Sequence, residues 1–142
     1  NSKILAEEMK NLGFKLSTDG TDNHLVLVDL RNFGITGSKM ELVCEMVNIS
    51  LNKNTVPGDK SALSPSGVRI GTSCMTTRGM EDWKSLAKWL LHCVKICQLR
   101  QKEYGKKIRD FKKDIENDER IILLKSIVKG YAKQLQFYDF IV

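Results

Sequence analysis

A chain of 142 residues, 42% apolar and 7% aromatic, can bury one domain-sized core and lacks the composition of a disordered segment. Its longest apolar stretches, Leu25-Val26-Leu27-Val28 and Ile121-Ile122-Leu123-Leu124, are far too short to cross a bilayer as helices. The net charge of +6 gathers toward the C-terminus, where residues 95–142 hold twelve Lys/Arg against seven Asp/Glu; but Lys106-Lys107 and Lys112-Lys113 interleave with Asp110, Asp114 and Glu116, the pattern of a solvated helix face rather than a nucleic-acid patch.

In chain order, Ile4, Leu5, Met9 and Leu12 recur at helical spacing, so a helix is expected over 2–12, with Gly13 as its stop. Lys3, Glu7, Glu8 and Lys10 occupy the place of a signal peptide's apolar core, so none is expected. A chain opening at Asn1 without methionine suggests one that begins inside something longer or was processed. Phe14–Ser17 alternates like a short strand, and Thr18–Asn23 is a turn centred on Asp19-Gly20. His24–Leu30 is β-branched and apolar almost throughout, which predicts a central strand buried on both faces.

Ser38-Lys39-Met40-Glu41 reads as a capping box opening a helix whose apolar stripe is Met40, Val43, Cys44 and Val47. Ile49–Leu51 is extended, and periodicity then stops from Asn52 to Gly67. Val68–Gly71 predicts a short strand. A long helix is expected from Gly79, with Glu81 and Asp82 in its first turn and Leu86, Leu90, Val94 and Cys97 on its buried face. Further helices are expected over 106–116 and 118–134. The sum is a single α+β domain, a two-layer α/β sandwich in which helices cover one face of a small mixed or antiparallel sheet.

Four cysteines (44, 74, 93 and 97) form no Cys-x-x-Cys pair, so buried reduced thiols are expected rather than a metal site or a disulfide framework. Reduced thiols favour the cytosol or an organelle matrix. No Gly-rich phosphate loop and no nucleophile elbow is present. His24 and the Thr76-Thr77-Arg78-Gly79 stretch read as turn and cap residues, and Cys74 as structural.

The informative region is the long aperiodic loop and the strand after it. Asn52 and Asn54 offer amides, Lys53 and Lys60 positive charge, and Pro57-Gly58 a turn. That set suits recognition of a polar, anionic or heterocyclic ligand, or simply a solvated surface loop. Arg69 sits between Val68 and Ile70 with Gly67 and Gly71 just outside, where a ligand or another backbone could come close. Its planar fork suits a carboxylate or phosphate. The alternatives are the wet face of an edge strand and a distant structural acid.

These segments carry a family resemblance. Ser17-Thr18-Asp19-Gly20-Thr21-Asp22-Asn23-His24-Leu25-Val26-Leu27-Val28-Asp29-Leu30 resembles the Ser-Gly-Gly-Thr-Asp-Asn-His-Leu-x-Leu-Val-Asp-Leu segment of serine hydroxymethyltransferases, with Asp19 where glycine is usual. Asn52-Lys53-Asn54 through Lys60-Ser61 is similar to that family's folate-side loop. Ser64-Pro65-Ser66-Gly67-Val68-Arg69-Ile70-Gly71-Thr72 is similar to its substrate-arginine strand, and Met75-Thr76-Thr77-Arg78-Gly79 continues the match. The resemblance is dense over 12–80, with compatible helices to about 115, and poor after Asn117.

The resemblance implies the C-terminal small domain of a fold-type I pyridoxal-phosphate enzyme that interconverts serine and glycine with tetrahydrofolate as one-carbon carrier. Residues 1–12 would end an interdomain helix, and 117–142 would form a helical tail. Arg69 would bind the amino-acid carboxylate and Asn54 the folate pterin ring, with Lys53, Lys60 and Ser61 lining the folate side. The cofactor lysine and the other catalytic residues would belong to the large domain, leaving none in this chain, which should be inactive alone. The whole enzyme would be a homodimer or homotetramer, cytoplasmic or mitochondrial, with no membrane partner. Two other readings stay open: a non-catalytic basic module binding RNA through 95–133, and an aminotransferase-type relative, which would not call for the Asn52-Lys53-Asn54 loop.

Overall fold

In the computed structural model, which describes residues 2–17, 24–72 and 80–134, the chain opens with helix α1 (Ser2–Asn11). Leu5, Ala6 and Met9 form its buried stripe, while Ile4, assigned to that stripe by spacing, is 51% exposed. Gly13 ends the turn at φ +94°, a left-handed conformation that costs glycine no side-chain clash, and its N–H bonds the Lys10 carbonyl. The predicted turn over 18–23 lies outside the described residues, as do Cys74 and Thr76–Gly79.

Strands β1 (Lys15–Leu16), β2 (Leu25–Asp29), β3 (Asn52–Asn54) and β4 (Gly67–Gly71) form one sheet in the order β1-β2-β4-β3. Every pairing is antiparallel. The β2 expectation needs correction: the strand is interior, but only one face is fully buried. Val26 and Val28 are completely covered, whereas Leu25 and Leu27 are half-buried. The reason is the layering, because the helices lie on one side and an antiparallel sheet tolerates an open second face. β3 is likewise a correction, since Asn52–Asn54 was read as loop; polar and without apolar alternation, it is a strand only through its pairing with β4.

Helix α2 (Gly37–Met46) starts one residue before the predicted cap. Its N-cap is Thr36, whose Oγ1 accepts from the Lys39 N–H at 3.4 Å, so Ser38 is not the capping residue. Glu41 does not close a capping box either. Its Oε2 accepts from the Lys53 N–H at 2.7 Å and ties α2 to the edge strand. The apolar stripe Met40, Val43, Cys44 and Val47 is buried as expected.

Helix α3 (Trp83–Tyr104) begins later than Gly79. Asp82 is its N-cap, accepting from the Ser85 N–H at 3.1 Å, and Glu81 precedes the helix. Leu86, Leu90, Val94 and Cys97 are all buried. The helix predicted over 106–116 is broken into a short α4 (Ile108–Phe111) and a 3₁₀ turn at Ile115–Asn117, separated by Asp114 at φ +55°. Helix α5 (Glu119–Ala132) follows, with Asp118 at its N-cap.

The core lies between the inner sheet face and α1, α2 and α3, with α5 closing one side. Cys44, Cys93 and Cys97 are free thiols within it, and burial raises the pKa values of Cys44 and Cys97, so they pack as small apolar groups. The basic C-terminal region is mostly solvated, with Lys106, Lys107, Lys112 and Lys113 exposed. Arg100 departs from that picture: it is 1% exposed and belongs to the interior.

Two glycines let α2 close onto β4. A Cβ on Gly37 would overlap the Gly67 carbonyl oxygen, and one on Gly67 would crowd the Val28 carbonyl oxygen and the Val56 side chain. These obstacles are largely backbone and cannot swing aside. Gly37→Ala is therefore expected to destabilise the fold by about 1–3 kcal/mol. Gly130→Ala, in open space on α5, should stabilise by roughly 0.5–1 kcal/mol through helix propensity. Urea unfolding of the two variants checks the opposite signs.

Candidate functional site

The β3–β4 hairpin sets Asn52 opposite Arg69, Lys53 opposite Val68 and Asn54 opposite Gly67. Because side chains alternate across a strand, Asn52, Asn54 and Arg69 share the open face of the sheet. Leu27 of β2, paired with Arg69 on its other side, lies on that face too. Lys53 falls with Val68 on the helix-facing side, at the sheet's outer edge. Of the predicted residues, the fold thus brings Arg69 and Asn54 onto one surface and turns Lys53 from it. Lys60 and Ser61 sit exposed in the connection between β3 and β4.

β4 is not an edge strand, which removes one alternative for Arg69. Its guanidinium nevertheless remains exposed, and among the described residues it has neither a hydrogen-bond nor an ion-pair partner. By register the acid on its own face is Asp29, but that carboxylate is committed elsewhere: Arg31 donates to it from Nε at 3.0 Å and from Nη2 at 2.6 Å. The Arg31 hydrogen bond holds the Asp29 pKa below the ordinary carboxylate range, against the opposing effect of burial. Arg69 is thus a cation on an open sheet face with no partner among the described residues.

The flanking glycines serve the protein's own backbone first. Gly67 is the close-approach point of Val28, Val56 and Asn54, while a Cβ on Gly71 would make ordinary contact with Leu25 at 3.5 Å. Beside Arg69 opens a cavity of about 650 Å³, lined among others by His24, Asn52, Trp83, Trp89 and Tyr131. Trp89 and Tyr131 meet edge to face at 5.5 Å and form part of its wall. Sequence reasoning missed this aromatic wall: Trp83 continues the buried stripe of α3 three residues before Leu86, and the half-buried Trp89 meets Tyr131 only through packing.

It also missed what holds the loop between the two strands. The Asp59 carboxylate accepts from the Val56 and Ser66 N–H groups at 3.0 and 2.9 Å and from the Ser66 hydroxyl. Arg31 Nη2 donates to the Pro57 carbonyl at 3.0 Å. The available signal was an acid just after Pro57-Gly58 with a serine seven positions on, too general to single out.

A family model described as serine hydroxymethyltransferase matches residues 1–90, well over half of the chain. The chain belongs to the serine hydroxymethyltransferase family. Similar relatives carry that name. The serine hydroxymethyltransferase of Plasmodium falciparum is 48% identical over 139 residues, covering 96% of this chain and 31% of the relative. Serine hydroxymethyltransferase 5 of Arabidopsis thaliana is 45% identical over 142 residues, 99% of this chain and 29% of the relative. The cytosolic enzyme of Saccharomyces cerevisiae is 45% identical over 127 residues, 86% of this chain and 27% of the relative. The chain thus spans about a third of the length of these curated relatives, and the alignment with the Arabidopsis enzyme continues through the segment after Asn117. The α+β layering with its antiparallel sheet is that of a small domain of this hydroxymethyltransferase family, whose members are fold-type I pyridoxal-phosphate enzymes.

Proposed function

We propose that residues 1–142 act as the C-terminal small domain of a serine hydroxymethyltransferase, interconverting L-serine and tetrahydrofolate with glycine and 5,10-methylenetetrahydrofolate. The observation that carries this reading is Arg69: a guanidinium on an open sheet face, without an acid partner among the described residues, beside Asn54 on the same face. A planar fork so placed can take a substrate carboxylate through two parallel hydrogen bonds and fix the amino acid's orientation toward the rest of the enzyme. Asn54 would present its amide to the pterin ring, with Lys60 and Ser61 in the adjoining loop. Lys53 fits this role less directly, since its position in the register is on the other face, and we assign it to the rim of the folate side. Residues 1–12 would end an interdomain helix, and 117–142 would form the helical tail.

Pyridoxal phosphate is the cofactor this reading implies, and it supplies the electron sink for the chemistry at the α-carbon. The described residues do not fit its pocket. The buried lysine, Lys39, donates its ammonium to Gln101 Oε1 at 2.5 Å between α2 and α3, on the opposite side of the sheet from Arg69. The cofactor lysine therefore belongs, in this reading, to a large domain, and the catalytic residues with it. Partners would be serine or glycine, tetrahydrofolate, that large domain and further copies in a homodimer or homotetramer.

No helix among the described residues is long and apolar enough to cross a membrane. Several relatives are named cytosolic, and their names support a cytoplasmic setting for the whole enzyme, with a mitochondrial form as the alternative. The family match lends no support to RNA binding. The test is direct. Serine-dependent, tetrahydrofolate-dependent glycine formation is expected from the full-length polypeptide carrying this domain, and none from residues 1–142 alone. A yellow, borohydride-reducible pyridoxal adduct at one lysine of the isolated domain would overturn the division of labour.

A further inference from the structure

We propose that Asp59, together with the Arg31–Asp29 pair, is the positioning device of the folate-side loop, setting where Asn54, Lys60 and Ser61 stand without touching the ligand. This rests on the folate-side reading above. The connection between β3 and β4 runs from Thr55 to Ser66, far longer than the usual hairpin loop, and contains no helix or strand. A loop of that length keeps a defined shape only if its backbone groups find partners.

Asp59 supplies them across the neck. Val56 enters the loop two residues after Asn54, and Ser66 leaves it one residue before Gly67, the register partner of Asn54. One carboxylate oxygen, Oδ2, accepts from both backbone N–H groups, at 3.0 and 2.9 Å, and Oδ1 takes the Ser66 hydroxyl. The tie therefore sits directly above the last pair of the hairpin. Beneath it the buried Val56 side chain packs on Gly67, which has no Cβ to obstruct it.

The turn itself is held from the other side. The Asp59 N–H bonds the Val56 carbonyl at 3.0 Å, with Gly58 at φ +95°. Arg31, fixed by buried Asp29, reaches the Pro57 carbonyl inside that turn. The Asp59 carboxylate and the Arg31 guanidinium, itself held by Asp29, thus fix the Val56–Asp59 turn from two sides, and Lys60 and Ser61 follow immediately. The hydrogen bonds to Ser66 hold the Asp59 pKa below the ordinary range, which agrees with an ionised acceptor across the physiological range. Both oxygens of Asp59 are occupied by the loop's own donors, so its role is positional. Asparagine could keep an acceptor for the two N–H groups and turn its amide NH₂ to the Ser66 hydroxyl, which accepts as well as donates, so alanine is the substitution that removes the tie.

The test uses the full-length enzyme. Asp59→Ala and Arg31→Ala are each expected to raise the KM for tetrahydrofolate about 10-fold while leaving the KM for serine within about 2-fold. Ser66→Ala, which removes a single hydrogen bond, should raise the folate KM by about 3-fold and serves where a harsher variant folds poorly. A general loss of structure would move both constants and the thermal midpoint together, and that result in all three variants would overturn the proposal. So would an unchanged folate KM in all three. Asn54→Ala separates the two levels: if it weakens folate binding while the three variants do not, the positioning role alone fails. If Asn54→Ala also leaves folate binding unaltered, the folate-side reading falls with it.

Discussion

Arg69→Ala in the full-length enzyme is expected to weaken serine and glycine binding on the order of 100-fold or more. A carboxylate held by a guanidinium fork loses two charge-assisted hydrogen bonds when the fork is truncated, and breaking such a pair in a closed site costs roughly 2–5 kcal/mol. Arg69→Lys keeps the charge but loses the parallel geometry, so an intermediate loss of about 10-fold is expected. Stability should hardly change, because Arg69 is exposed and has no partner among the described residues. Binding isotherms for glycine, set beside thermal unfolding of the same variants, check both halves. An unchanged affinity would remove Arg69 from the site.

Arg100→Ala should show the reverse: a loss of about 3–5 kcal/mol in stability, or a melting point lower by on the order of 10 °C. Arg100 is 1% exposed and spends its donors inward. Nε and Nη2 donate to the Phe111 carbonyl at 2.9 and 2.8 Å, Nη2 also to that of Lys113 at 2.6 Å, and Nη1 to Asp118 at 3.0 Å. The guanidinium also lies over the Tyr104 ring, 4.3 Å from its centroid. It thereby satisfies the carbonyls that α4 leaves open and joins α3 to the N-cap of α5. Truncation would strand those acceptors inside the protein.

The same cluster makes stability depend on pH. Asp118 is held far below the ordinary carboxylate range, first by the Arg120 side chain and also by Arg100, against the cost of burial. A depressed folded-state pKa means that the stabilisation is complete above the unfolded value of 3.8 and is lost as pH falls toward the folded value. Wild-type stability should therefore drop between about pH 4 and pH 2, and Asp118→Asn should flatten that fall, as urea titrations at several pH values would show.

The contrast between these two arginines shows how far sequence reading reached. Arg69 was legible because its neighbours speak for it: apolar residues on either side require a strand, glycines bracket it, and no nearby acid is available. Arg100 was legible only in phase. It stands three residues after Cys97, on the buried stripe of α3, yet its charge placed it with the solvated lysines around it. The decisive partners, two carbonyls and a carboxylate, lie 11 to 18 residues further on, and their arrangement depends on a break at Asp114 that no propensity announces.

Likewise, Asn52–Asn54 reads as loop because nothing in Asn-Lys-Asn favours a strand; its pairing partner β4 and the Glu41 tie make it one. By itself, then, the sequence determined the element types with strong periodicity, the buried stripes of α2 and α3, and the loop-and-strand region carrying Asn54 and Arg69, because these follow from local spacing and residue chemistry. Only the tertiary structure decided which sheet face stays open, that Asp29 is taken by Arg31 while Arg69 is left without a described partner, and that Asp59 closes the loop. Those outcomes depend on groups distant in the chain competing for the same few donors and acceptors, and that competition is settled when the layers pack.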